Sequence, residues 1–232
     1  MRDMITACGL CAGAALAVAA CGGSGSSGSA AASSRTASQL VSQMRTAVRD
    51  ASSVHLEGQV TSGGRPLGLN LGVRRTGGLT GTLTRSGVPL RLIGTGTRVY
   101  VQATPGFLHE LRASAAVCAV MCGKYVQMNG SQARSLDDSL SMGSLTGALT
   151  RATPKFTKSG TATVGGQPAV VLRAADGATL DVAARGKPYP LRVVASRTGE
   201  TIRFSQWDKV PAPSAPPTGQ VINLNQLKAG SS

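Results

Sequence analysis

"VHLEGQV", Val54 to Val60, sets Val54, Leu56 and Val60 against His55, Glu57 and Gln59 in strict alternation. Side chains of an extended chain point to opposite faces in turn, so this is the pattern of a strand with one face buried and the other in water. The pattern recurs downstream in "PLGLNLGVRR" from Pro66, "LTGTLTR" from Leu79, "PLRLIGTG" from Pro89 and "RVYVQAT" from Arg98. Gly63-Gly64, Gly77-Gly78, Ser86-Gly87 and the Gly94 to Gly96 stretch punctuate it. Turn signals at intervals of about eight to twelve residues predict an antiparallel meander, apolar on one face and rich in Arg, Thr and Gln on the other.

Upstream the period changes. Thr36 to Ala51, "TASQLVSQMRTAVRDA", carries Leu40, Val41, Met44, Ala47 and Val48 at the spacing of one helical face, with Thr36 or Ser38 available as the cap. Its apolar stripe is expected to pack on the sheet of its own domain. From Thr104 to Thr153 the alternation lapses, and Ala133, Leu136, Leu140 and Leu145 suggest one or two short helices interrupted at Gly143 and Gly147. Period two then returns in "KFTKSGTATV", "QPAVVLRAA", "ATLDVAA", "YPLRVVASRT" and "TIRFSQWDKV", with hairpin turns at Gly165-Gly166, Asp176-Gly177, Arg185 to Pro188 and Thr198-Gly199. "PAPSAPP", Pro211 to Pro217, lacks ladder donors and is expected along a sheet edge. The tail "QVINLNQLK" follows it and offers a last short element. The order of helix, strands, helical insert and strands is that of an α+β fold.

Of the 232 residues 41% are hydrophobic but only 3% aromatic, so the core must be built from Val, Leu, Ile and Ala. No internal repeat stands out, and residues 36–217 make one domain, with 218–232 as a tail. Before them, Met4 to Ala20 contains no charge and reads as the apolar region of a secretory signal over residues 1–20. Gly22 to Ser34 is all Gly, Ser and Ala, so residues 21–35 form a flexible tether; about thirteen such residues reach roughly 20 Å.

Val18-Ala19-Ala20-Cys21 resembles the bacterial lipobox. The resemblance implies that Cys21 receives a diacylglycerol thioether and becomes the mature N-terminus, and two acyl chains hold a protein stably on a membrane. Gly22 offers no acidic retention signal. The expected location is the outer face of the bacterial cytoplasmic membrane, with the lipid as anchor.

The formal charge of +14 reads first as the solvated outer faces of the strands, and it is also compatible with nucleic acid, anionic lipid or anionic polymer as partner. Export argues against nucleic acid, as does the scatter of single Arg residues without aromatic interleaving. Cys8 and Cys11 fall within the leader, so their CxxC-like spacing carries no redox reading. Cys118 and Cys122 remain, in "VCAVMCGKY". Outside the cell a local disulfide between them is permitted, and a dithiol is the alternative. His55 and His109 lie at no ligand spacing, and Asp137-Asp138 reads as a solvated helix face, so neither a metal nor a cofactor is expected. Asn129-Gly130-Ser131 matches a glycosylation sequon only weakly. A nucleophile elbow, an HExxH helix and a Walker loop are all missing from the sequence, and no enzyme is expected.

Taken in order, a lipobox, a tether, a helix followed by "SVHLEGQV", "RVYVQ", "CGKYVQM" before a helical insert, and a closing "TIRFSQWDKV" before Pro resemble the actinobacterial LppX/LprG-like lipoproteins and, more distantly, the LolA-like lipoprotein carriers. Tyr125 stands where Trp would be looked for. The resemblance implies a strongly curved antiparallel sheet, a half-barrel, whose concave face is covered by the N-terminal helix and the helical insert. It further implies an apolar cavity between them, lined by the Leu, Val and Ile of the strands, that binds or transfers lipids or other acylated molecules. In-strand glycines at Gly68, Gly72, Gly81, Gly94 and Gly96 suit either bends or tight packing. The other function considered is a non-enzymatic envelope sensor or structural lipoprotein that uses the half-barrel to bind a protein partner.

Overall fold

Thr36 opens the first helix as a capping box: its hydroxyl accepts from Gln39 N, and the Gln39 side chain accepts from Thr36 N. The computed structural model describes residues 34–128, 138, 140–151 and 155–223. Helix α1 spans Ala37–Asp50 and buries Leu40, Val41, Met44 and Val48, the stripe read from its spacing.

Among the described residues twelve strands make one sheet. They are β1 (Ser53–Ser62), β2 (Arg65–Arg74), β3 (Leu79–Arg85), β4 (Val88–Gly94), β5 (Val99–Gln102), β6 (Tyr125–Met128), β7 (Phe156–Val164), β8 (Gln167–Ala174), β9 (Thr179–Ala183), β10 (Pro190–Val194), β11 (Thr201–Ser205) and β12 (Val221–Asn223). Their spatial order is β12-β6-β5-β4-β3-β2-β1-β11-β10-β9-β8-β7. Two antiparallel meanders thus meet where β1 pairs with β11, and the outermost strands β7 and β12 are left as edges of an open half-barrel. Between β5 and β6 the chain makes α2 (Pro105–Glu110) and α3 (Ala115–Met121), and between β6 and β7 it makes α4 (Met142–Arg151).

The curl of the sheet is visible in its core. Leu69, Leu71, Leu79 and Leu92 of one wing share a single buried cluster with Val170, Leu172, Leu180 and Val182 of the other. Leu40 and Met44 of α1 and Met142 of α4 fill the concavity between them, and α1 touches both α4 and β7. Of the glycines considered for bends, Gly81 is the one the backbone requires: at φ +145°, a Cβ there would lie 2.0 Å from the Asn70 carbonyl oxygen. Gly72 instead makes room for Val210, whose Cγ1 would lie 2.8 Å from an added Cβ. Gly96 falls in the turn after β4, outside any strand.

Two expectations are corrected. First, α4 runs through Gly143 and Gly147, because packing over the concave face outweighs their poor helix propensity. Second, the Pro-rich segment does not follow an edge strand. It crosses one end of the sheet: Val210 N donates to Ser53 Oγ, Arg74 donates to the Val210 carbonyl, and Pro213 fits against Gly78. That crossing delivers β12, the short element offered by "QVINLNQLK", to β6 in parallel register at the edge of an otherwise antiparallel sheet. Ala133, Leu136, Asp137, the sequon and residues 224–228 lie outside the described residues.

Candidate functional site

The concave face of the sheet and its helical cover meet in one continuous buried apolar seam. Its wall comes from inward-facing strand positions, Leu56, Leu71, Leu172 and Val182 among them, each at 0–1% exposure. The cover is α1 and α4. Among the α4 side chains described, the buried polar one, Thr146, donates to the Met142 carbonyl of its own helix at 2.6 Å. A wall of this chemistry offers apolar contact to whatever packs against it.

The cover is unequal to the wall. Helix α1 is capped and carries a full apolar stripe, whereas the ten residues of α4, "MGSLTGALTR", include two glycines and two threonines. Each glycine costs about 1 kcal/mol relative to alanine within a helix, and threonine is also below average. The seam is therefore closed by one sound helix and one that depends on the wall beneath it.

Surface grooves of about 460, 450 and 310 Å³ open elsewhere. The first lies between α1 and Gly186 to Pro188, the second beside Arg65 and Arg85, and the third beside Tyr189 and Trp207. All three include charged side chains in their lining.

Cys118 and Cys122 are joined in a disulfide, their Cα atoms 4.8 Å apart, across the last turn of α3. Cys21 lies outside the described residues. His109 sits on the exposed side of α2, far in the fold from His55 on β1, and among the described residues no group of three metal-ligating side chains forms. One arrangement escaped the sequence. His55 Nδ1 is 3.3 Å from Ser205 Oγ and its Nε2 is 3.0 Å from Asn70 Oδ1, three residues brought into line by the pairing of β11, β1 and β2. It resembles a serine triad in outline. These residues lie on the outer face of the sheet, where the strand N–H groups belong to the ladders, so no pair of free donors stands ready for an oxyanion.

The "FSQWDKV" stretch proves to be structural. The Trp207 ring stacks on Tyr189 at 4.5 Å between centroids and also lies against Phe204, and its indole N–H donates to the Pro190 carbonyl. Asp208, at φ +62°, accepts from Ser52 N and Ser52 Oγ through one oxygen and from Tyr189 Oη and Lys187 Nζ through the other. Burial disfavours the charge, but these hydrogen bonds more than offset it and hold the carboxyl well below the usual carboxylate range. Burial, then the bond to Asp208, pushes the Tyr189 phenol up. This lock ties the start of β1 to β10 and β11.

Among solved structures the chain is similar to LprF from Mycobacterium bovis, with 15% identity over 78% of this chain and 96% of that one and a TM-score of 0.51. The Mycobacterium tuberculosis lipoprotein LppX aligns at 16% identity over 76% of this chain and all of that one, with a TM-score of 0.48. A LolA superfamily protein from Nitrosomonas europaea aligns at 12% identity over 80% and 96%, with a TM-score of 0.26. The half-barrel with its helical cover is the fold of LprF. No protein-family model matches the sequence, and no curated protein matches it at a significant level.

Proposed function

We propose that the protein is a lipoprotein, anchored through Cys21 to the outer face of the cytoplasmic membrane, that takes up the acyl chains of lipids or acylated molecules between the concave sheet and α4. The observation that carries this reading is the mismatch just described: a predominantly aliphatic wall, closed by a helix too weak to stand without it. An acyl chain that displaces α4 replaces one set of apolar contacts by another, so the buried surface, at about 25 cal/mol per Å², is largely conserved and uptake requires no compensating reaction. The sound helix α1 stays in place and keeps the half-barrel folded while α4 moves. The fold shared with LprF and the aliphatic Val18-Ala19-Ala20-Cys21 junction support the same setting. No catalytic step belongs to this function.

The test is extraction of the full chain from membranes without denaturation, followed by native mass spectrometry. The expected spectrum shows the lipidated protein with a further, non-covalent diacyl lipid. Bare protein that gains no mass when lipid is supplied in excess would overturn the carrier reading, and a partner polypeptide in place of lipid would favour a protein-binding half-barrel. Gly143→Ala adds a Cβ whose nearest neighbour, Ser141 Oγ, lies 4.0 Å away, and strengthens α4 by about 1 kcal/mol, so it should slow lipid uptake while raising stability.

A further inference from the structure

Among the described residues the large apolar side chains left exposed are Leu111, Val117 and Val120, at 61%, 37% and 58%. All three sit in the short excursion between β5 and β6. Helix α3, "AAVCAVM", has no polar side chain apart from its disulfide sulfur and buries none of its residues. An apolar helix in water costs free energy that a bound surface would recover.

The excursion is held rigidly in that exposed position. Leu108 is buried and anchors α2, and Gly106 fits against Val88 at the start of β4. The two legs are tied by Gly123 N donating to the Ala103 carbonyl and Ala103 N donating to the Lys124 carbonyl, each at 2.8 Å. Ser114 caps α3, Arg112 at φ +55° makes the corner before it, and the disulfide pins its last turn. Little freedom is left to lose on contact.

The registers of β1 to β5 put this excursion at the same end of the sheet as the β1–β2, β3–β4 and β10–β11 turns. That end carries Arg65, Arg85, Arg112, Lys124, Lys155 and Arg197, all exposed. Its carboxylates are Glu110, Asp176 and Glu200, and Glu200 is engaged with Thr61 N, whose hydrogen bond holds it below its ordinary range despite an opposing desolvation effect. Cations around a central apolar knuckle are complementary to a bilayer with anionic headgroups, where the arginine and lysine stems lie along the surface and the apolar residues enter it. The opposite end is basic as well, but among the described residues it displays no large exposed apolar side chain.

We propose that the end of the sheet bearing α2 and α3 docks on an anionic lipid surface, with Leu111, Val117 and Val120 entering the interface and the surrounding Arg and Lys meeting the headgroups. Docking is distinct from carriage, since it uses the outside of the fold and stands whether or not the seam holds lipid. It is also distinct from the Cys21 anchor, which brings the body near the bilayer without choosing which face meets it.

The experiment uses the full chain in two versions, Val120→Trp and Arg185→Trp, each compared with the natural protein to remove the signal of Trp207. Both substitutions fall at exposed positions, one at each end of the sheet. Emission is read with vesicles of phosphatidylglycerol and phosphatidylcholine that carry bromine on their acyl chains. The Val120→Trp emission should shift to the blue and lose most of its intensity, while that of Arg185→Trp stays as in water. Vesicles of phosphatidylcholine alone, or high salt, should weaken the quenching. No quenching of Val120→Trp, the result if α3 meets a protein partner, or equal quenching at both ends would overturn the proposal. Undiminished quenching on phosphatidylcholine alone would overturn the part assigned to the basic rim.

Discussion

The two ends of the sheet are built on opposite terms. At the end where β1 begins, Trp207 stacks between aromatic neighbours, Asp208 gathers four hydrogen bonds, and the Pro-rich segment crosses β1 to β3. At the other, α3 stands in solvent with its apolar side chains unburied. One end spends its few aromatic residues on closure; the other withholds its aliphatic ones from the core. The difference teaches that stability and surface recognition have been assigned to separate ends, and it predicts an unequal response to substitution.

The largest effect is expected from Trp207→Ala, which removes the centre of the aromatic stack and should cost about 3–5 kcal/mol, read as a lower thermal midpoint. A loss below 1 kcal/mol would mean that the stack does not close the sheet. Asp208→Asn comes next. It keeps the shape but weakens charge-assisted bonds, at a cost of about 1–3 kcal/mol in denaturant unfolding. This effect carries a pH signature. The folded-state pKa of Asp208 is depressed, so its contribution is present above the unfolded value near 4 and is lost as pH falls from there toward the folded pKa. The natural protein should therefore lose stability below about pH 4 more steeply than Asp208→Asn, and parallel curves would refute the lock.

At the α3 end the effects should be smaller. Reducing the Cys118–Cys122 disulfide opens a very short loop, for which the chain-entropy relation gives at most about 2 kcal/mol. Leu111→Gln and Val120→Gln should fall within about 0.5 kcal/mol of the natural protein, since neither side chain is buried. A loss of several kcal/mol from either would mean that α3 belongs to the core and would erase the contrast.

Much of the fold could be read from the chain. Alternation at Val54 to Val60 and its successors, the α1 stripe and the glycine turns depend on local periodicity, which survives in any tertiary setting. The middle of the chain resisted for physical reasons. Helix α4 contains two glycines that argue against it locally and is held by the sheet it covers, while β12 depends on where the Pro-rich segment carries the chain. The seam was legible as alternating Leu and Val, but its unequal cover was not. Nor was the role of Asp208: its partners Ser52, Lys187 and Tyr189 are distant in sequence, and only "WDKV" at a strand end hinted at a special position. Exposure of Val117 and Val120 gave no signal at all, because an apolar helix in a sequence looks the same whether it is buried or not.

The central claim, acyl chains between the concave sheet and α4, is tested most directly by photocrosslinking the full chain with a phospholipid that carries a diazirine on its acyl chain and mapping the modified residues. Label is expected on side chains of the seam such as Met44, Met142 and Leu172. Label confined to Leu111, Val117 and Val120, with the seam untouched, would contradict the claim.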